Sequence, residues 1–174
     1  MDIASGYSHT CAIAGSGGGL LCWGQNGFGQ LGTGTTSNKN TPTAVIGLES
    51  ISLISVATGR SHSCAATSSS AVYCWGYNAY GQLGIGSLAT HLTATLVPNI
   101  NATSVSAGEF YTCAITLQST VKCWGAKDGL SETATAYVGQ LGSGSRVGSE
   151  WAHLAHNHSM MKLISSEQVW CLSM

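Results

Sequence analysis

The residues best placed to do chemistry are cysteines. The 174-residue chain has seven, and six of them recur as pairs: Cys11 with Cys22, Cys64 with Cys74, and Cys113 with Cys123, at separations of 11, 10 and 10 residues. In the first two units a small glycine-rich or polar turn, Gly15–Gly19 or Thr67–Ala71, lies between the partners. Such spacing puts the two cysteines on neighbouring antiparallel strands of a hairpin. Directly opposed Cα atoms there lie about 4.5–5.5 Å apart, within the reach of a disulfide. Cross-strand disulfides are therefore expected, each contributing roughly 2–3 kcal/mol by the chain-entropy account. Two other readings stand beside this one. Small buried cysteines also pack well in a core, and a zinc site is conceivable but lacks a Cys-x-x-Cys knuckle. Cys171 is left single, because Met160 stands where the first cysteine of a fourth pair would be. Paired cysteines point to an oxidising compartment, extracellular or lumenal.

Other chemistry is poorly provided for. His9, His62 and His158 share one repeat position, which Tyr111 fills in the third unit. A catalytic base or a metal ligand does not survive exchange for tyrosine, whereas a buried hydrogen-bonding group does, so these are read as structural. His153, His156 and His158 form a local cluster, with only Glu150 and Glu167 nearby as supporting carboxylates; metal binding there is a minor reading, and no metal or cofactor is expected. No serine sits in a Gly-x-Ser-x-Gly elbow between strand and helix. The glycine-rich segments GQLGTG and GQLGIG lack the lysine of a phosphate-binding loop and open no helix, so they are turns. No catalytic residues are assigned, and the chain is not expected to be an enzyme. Asn101-Ala102-Thr103 and Asn157-His158-Ser159 match the glycosylation pattern, which matters only if the chain is secreted.

The elements that must position the cysteines are repeated. CWGQNGFGQLG at 22–32 returns as CWGYNAYGQLG at 74–84, and in two pieces as CWGAKDG at 123–129 and VGQLG at 138–142. Upstream lie GYSHTCAI from Gly6, GRSHSCAA from Gly59 and GEFYTCAI from Gly108. The Cys-Trp-Gly copies are 52 and 49 residues apart, a period that marks a repeat architecture. The expected structural residues of the turn are Trp23, Gly24, Gly29, Gln30 and Gly32, then Trp75, Gly76, Gly81, Gln82 and Gly84, then Trp124, Gly125, Gly139, Gln140 and Gly142. Each unit reads as short strands, among them 43–46 and 94–97 and, leading into the next glycine, 54–57 and 103–106. Nothing has a useful helical period. Four short strands per unit of about fifty residues suits a propeller blade better than a solenoid rung. The units run approximately over 1–53, 54–102 and 103–151, with a decayed fourth over 152–174.

The pattern Gly-x-x-His-Ser/Thr followed by Trp-Gly-x-Asn-x-x-Gly-Gln-Leu-Gly resembles the repeat of the regulator of chromosome condensation family. The resemblance implies a seven-bladed β-propeller, of which this all-β chain would supply about three and a half blades. Typical intracellular members, by that resemblance, carry aliphatic or small residues at the two cysteine positions. The family's uses include receptor ectodomains and secreted bacterial inhibitors of β-lactamase. It also includes a guanine-nucleotide exchange factor for a small GTPase and substrate-recruiting regions of giant ubiquitin ligases.

Charge narrows the choice. Only 7% of residues are charged, with six basic residues scattered singly and a net charge of −1. That leaves no electrostatic footprint for nucleic acid. No charged side chain lies between Arg60 and Glu109. No apolar run reaches the roughly 18 residues that span a membrane. The expectation is a non-catalytic, extracellular or lumenal module whose rim loops bind a protein. Nine extra residues, Gly129 to Tyr137, interrupt the third signature turn and form a candidate rim loop, but the tolerance of surface loops for insertions favours a neutral insertion or a gene-model artefact over a functional loop. Met1–Gly6 align with Ile54–Gly59, and Cys171–Met174 stop inside the motif, so a piece of a longer array is expected. Its uncovered blade faces, with Ile13 and Trp23 at one end and Leu163, Val169 and Trp170 at the other, would favour self-association.

Overall fold

The computed structural model describes residues 1–14 and 19–126 together with a strand at Lys162–Leu163. The first sheet runs in the order β1 (Asp2–Ser5), β2 (His9–Ala14), β3 (Gly19–Gly24) and β4 (Lys39–Ala44). The second contains β5 (Leu53–Thr58), β6 (His62–Thr67), β7 (Ala71–Gly76), β8 (His91–Ala107), β9 (Tyr111–Thr116), β10 (Val121–Gly125) and β11 (Lys162–Leu163), again in chain order. Every pairing is antiparallel. Within each sheet, each strand thus pairs with the strand that follows it, as in a propeller blade.

The segments 94–97 and 103–106, expected as separate strands, are one continuous strand. The first half of β8 closes the second blade, with Cys74 opposite Thr95 and Tyr73 opposite Leu96. Its second half opens the third, with Val105 opposite Ala114 and Ser106 opposite Cys113. Asn99, at φ 58°, allows the change of direction between the halves, and Pro98 beside it needs no ladder partner. Between the first and second blades the connection is instead a turn around Gly47, at φ 91°. At the far end, Lys122 pairs with Leu163, so β11 forms a fourth strand beside β10. The repeat spacing places those two residues in a fourth unit instead.

Two core clusters fill the seams between blades. One joins Cys11, Ile13, Cys22, Leu31, Val45 and Leu48 of the first blade to Val56, Ala65 and Trp75 of the second. The other joins Cys64, Cys74, Leu83 and Val97 of the second to Val105, Ala114 and Trp124 of the third. Strand alternation explains the division. His9, Cys11 and Ile13 share one face of β2, and that face meets the second blade. Ile13 is therefore buried, not uncovered as the sequence reading expected. Trp23 is half-buried, on the other side. In β6 both faces meet a neighbouring blade, and all six residues are buried.

Candidate interaction surface

The cysteine pairs occupy directly opposed positions of the inner hairpins, Cys11 facing Cys22, Cys64 facing Cys74 and Cys113 facing Cys123. The sulfurs are bonded in all three, with Cα atoms 4.1, 4.1 and 4.0 Å apart. Each cross-link fixes two strands just before the chain enters its signature turn.

Two buried amides build that turn. The Asn26 side-chain carbonyl accepts the Leu31 N–H at 2.9 Å, and its amide donates to the carbonyls of Thr35 and Ser37 at 2.8 and 3.0 Å. Asn78 repeats this with Leu83, Ser87 and Ala89. The Gln30 and Gln82 side chains accept the N–H of Phe28 and Tyr80, both at 3.0 Å. Glycine is required where the turn leaves the strand. Gly24, Gly76 and Gly125 have φ of 109°, 99° and 110°, and a Cβ there would lie 2.5–2.6 Å from the carbonyls of Ser8, Ser61 and Phe110. Gly32 and Gly84, also at positive φ, lie against the indoles of Trp75 and Trp124. Gly29 and Gly81 share φ 75°. Gly139, Gln140 and Gly142 fall outside the described residues, as do the insertion 129–137, the histidine cluster and Cys171. The third copy has Lys127 where the others have Asn26 and Asn78. A lysine side chain has no carbonyl oxygen to offer at that position.

The turn also holds the next blade. The Gln30 backbone carbonyl accepts the Ser63 hydroxyl at 2.8 Å and the Trp75 indole N–H at 2.9 Å. With its proton so committed, the Ser63 oxygen accepts from His9 Nε2 at 2.8 Å, which assigns the His9 proton to Nε2. The second seam repeats the set: Gln82 carbonyl with Thr112 at 2.9 Å and Trp124 at 3.0 Å, and His62 Nε2 with Thr112 at 2.9 Å. On the inner strands, the Asp2 carboxylate accepts the Val56 N–H at 2.9 Å, and the Ser55 hydroxyl oxygen accepts the Val105 N–H at 3.3 Å. Burial pushes His9 down to about 4 and His62 to about 3, the latter also through His9. Both imidazoles are neutral at physiological pH. Their Nδ1 atoms are buried without a hydrogen-bond partner among the described residues. Sequence reasoning recognised these histidines as structural. It missed that they bridge blades, because the partner hydroxyls lie 54 and 50 residues away.

Above the seams, loops of three blades bring aromatic side chains together at one rim. Tyr77 lies 4.7 Å from Phe28, 5.9 Å from Tyr80 and 6.5 Å from Phe110, centroid to centroid, and Tyr80 lies 5.2 Å from Phe110. The Arg60 guanidinium sits 5.1 Å from the Tyr7 ring and 5.5 Å from Phe110, and pairs with Glu109. Partial burial, then Tyr80, holds the Tyr77 phenol above its usual range. Tyr7, Arg60 and Glu109 occupy the same repeat position, directly after the leading glycine. Repeat matching passes over such positions because they differ from unit to unit. Among the described residues, no group of histidine, cysteine and carboxylate side chains could hold a metal.

The regulator of chromosome condensation (RCC1) repeat matches residues 17–66 and 69–115, and a second form of the same repeat matches 2–30 and 53–82. The chain belongs to this family. Homo sapiens HERC4, described as a probable E3 ubiquitin-protein ligase, is 42% identical over 86 residues, covering 49% of this chain and 8% of HERC4. The ultraviolet-B receptor UVR8 of Arabidopsis thaliana is 38% identical over 86 residues, covering 49% of this chain and 20% of UVR8. Among solved structures, Prp20p of Saccharomyces cerevisiae superposes with a TM-score of 0.65 at 23% identity, covering 72% of this chain and 33% of that one. The chain thus spans a third or less of these proteins, and its RCC1 repeats form part of a β-propeller.

Proposed function

We propose that this RCC1-repeat chain is a non-catalytic protein-binding module that uses the rim formed by Tyr7, Phe28, Arg60, Tyr77, Tyr80 and Phe110. The observation that carries the reading is convergence. Phe28 and Tyr80, which share one aromatic repeat position, gather with Tyr7, Arg60, Tyr77 and Phe110, at positions where the units differ, into one aromatic and arginine surface drawn from three blades. Aromatic residues and arginine are the types enriched at protein interfaces. Three cystine pairs support an extracellular or lumenal setting. A photo-crosslinking residue at Tyr80 should capture a partner in native material, whereas one at Ser69, in the turn between β6 and β7, should not. Equal capture from both positions, or capture from Ser69 alone, overturns the rim assignment.

A second reading follows from the relatives. Prp20p is described as binding Gsp1p and histones, and HERC4 as a ligase, so an exchange factor or a ligase's recruiting region is the competing function. Thiol counting on protein from its natural compartment separates the two. Six oxidised cysteines support the extracellular or lumenal reading, and six free thiols reject it.

A further inference from the structure

One motif of the sequence has no part in the turns, the seams or the aromatic rim: Asn101-Ala102-Thr103, the asparagine–x–threonine pattern of an N-glycan acceptor. It lies in β8, where the strand has left the second blade and enters the third. Strand alternation decides which of its side chains meet the core. Ile100 and Ala102 are buried in the cluster between the second and third blades, at 3% and 0% exposure. Asn101 and Thr103 lie on the other face, and both are exposed. A slip of one residue would turn the acceptor into the core, where a glycan could not be accommodated.

The backbone around Asn101 is fixed from both sides. Asn101 pairs with Ala71 of β7, and its carbonyl accepts the Leu117 N–H at 3.1 Å, just past the end of β9. Ala102 donates its N–H to the Ser70 carbonyl at 2.8 Å, in the turn between β6 and β7. The Thr103 hydroxyl donates to the Ile115 carbonyl at 3.3 Å. Strand β7 runs from Ala71, opposite Asn101, to Gly76, which leads into Tyr77. At about 3.3 Å per residue, roughly 17 Å of strand separates Asn101 from the aromatic surface. The acceptor therefore stands at the opposite rim, and a glycan there leaves Tyr77, Tyr80 and Phe110 uncovered.

We infer that Asn101 carries an N-linked glycan, on the rim opposite the aromatic surface. The inference rests on the extracellular or lumenal setting proposed above, because a chain bound for either meets the co-reactant, an oligosaccharyl diphosphate lipid. Asn101 Nδ2 bonds to the anomeric carbon of the sugar as the bond from that carbon to the diphosphate oxygen breaks. The lipid diphosphate leaves with the bonding pair, and the amide gives up one of its two protons to a base of the transferase. The hydroxyl of Thr103 is the group that marks Asn101 as an acceptor. Transfer takes place on the extended chain. The part played by the fold is to keep the sugar out of the core, and the register of β8 does so.

Site mapping on protein from its natural compartment tests this, with thiols counted on the same sample. Enzymatic release of the glycan in heavy-oxygen water converts a glycosylated asparagine to labelled aspartate, and most copies should carry that label at Asn101. Oxidised cysteines with a bare Asn101 overturn the inference and leave the proposed setting standing. Free thiols with a bare Asn101 overturn both. Label at Asn157 alone, the acceptor of the other such triplet, also overturns the inference. A second arm uses the 174-residue chain secreted from a eukaryotic host behind an added leader. Asn101→Gln and Thr103→Ala should each lose the mobility shift of one glycan, and Thr103→Ser should keep it. Circular dichroism should match the parent in all three, because both positions are exposed. Loss variants that migrate as the parent does overturn the inference.

Discussion

The first and second blades are built from nearly the same eleven-residue motif and end in different states. In the second blade β6 is buried on both faces, while β2 of the first alternates buried with half-buried. Trp75 donates to the Gln30 carbonyl in a closed seam; Trp23, the same residue at the same repeat position, is half-buried. The difference lies in the neighbours and not in the blade. A blade of four short strands has two faces to cover, and its own residues cover neither. This is the physical meaning of a repeat array, in which stability is a sum of units and the interfaces between them.

The sharpest break of this comparison is a matched truncation. Trp75→Ala should destabilise the chain by about 3–5 kcal/mol, the usual cost of deleting a buried large aromatic. Trp23→Ala should cost well under half as much. Chemical denaturation of both variants checks it, and equal losses would show that the two seam positions are equivalent after all.

Acid should act on both seams together. The unfolded imidazoles take up protons near pH 6.5, whereas buried His9 resists to about 4 and His62 to about 3. The unfolded state therefore binds more protons in this window, and stability falls as pH drops from about 6.5 toward 4. For His9 the loss is on the order of 3 kcal/mol, at 1.36 kcal/mol per pH unit. Melting temperature followed from pH 7 to 4 should decline, and His62→Gln should flatten the decline. A profile level across that range would mean that the imidazoles are not held neutral.

The smallest expected contrast is a single hydroxyl. Thr112→Val leaves the Gln82 backbone carbonyl with one donor and the His62 Nε2–H with no acceptor, which should cost about 1–3 kcal/mol. Thr10→Val removes a hydroxyl that meets only Ser5 at an exposed position and should change stability by less than about 0.5 kcal/mol. Urea midpoints of the two variants give the comparison directly.

Much of this was legible in the chain itself. The period near fifty, the opposed cysteines and the turn glycines follow from local chemistry: strand alternation, hairpin spacing and the φ that only glycine adopts cheaply. Asn26 and Asn78 were legible as turn residues but not as the amides that tie three backbone groups together. The continuity of β8 was not legible, because a bend at Asn99 looks in sequence like a loop between two strands.

The sequence by itself determined the blade, since each blade is made of contacts between residues close along the chain. Only the tertiary structure decided what the blades do to each other. The His9–Ser63 bridge, the burial of Ile13 against the exposure of Ile115, and the meeting of Tyr7, Arg60 and Phe110 join residues that lie about fifty positions apart or depend on a whole neighbouring blade. No local pattern encodes such contacts, because they arise from the stacking of one repeat on the next.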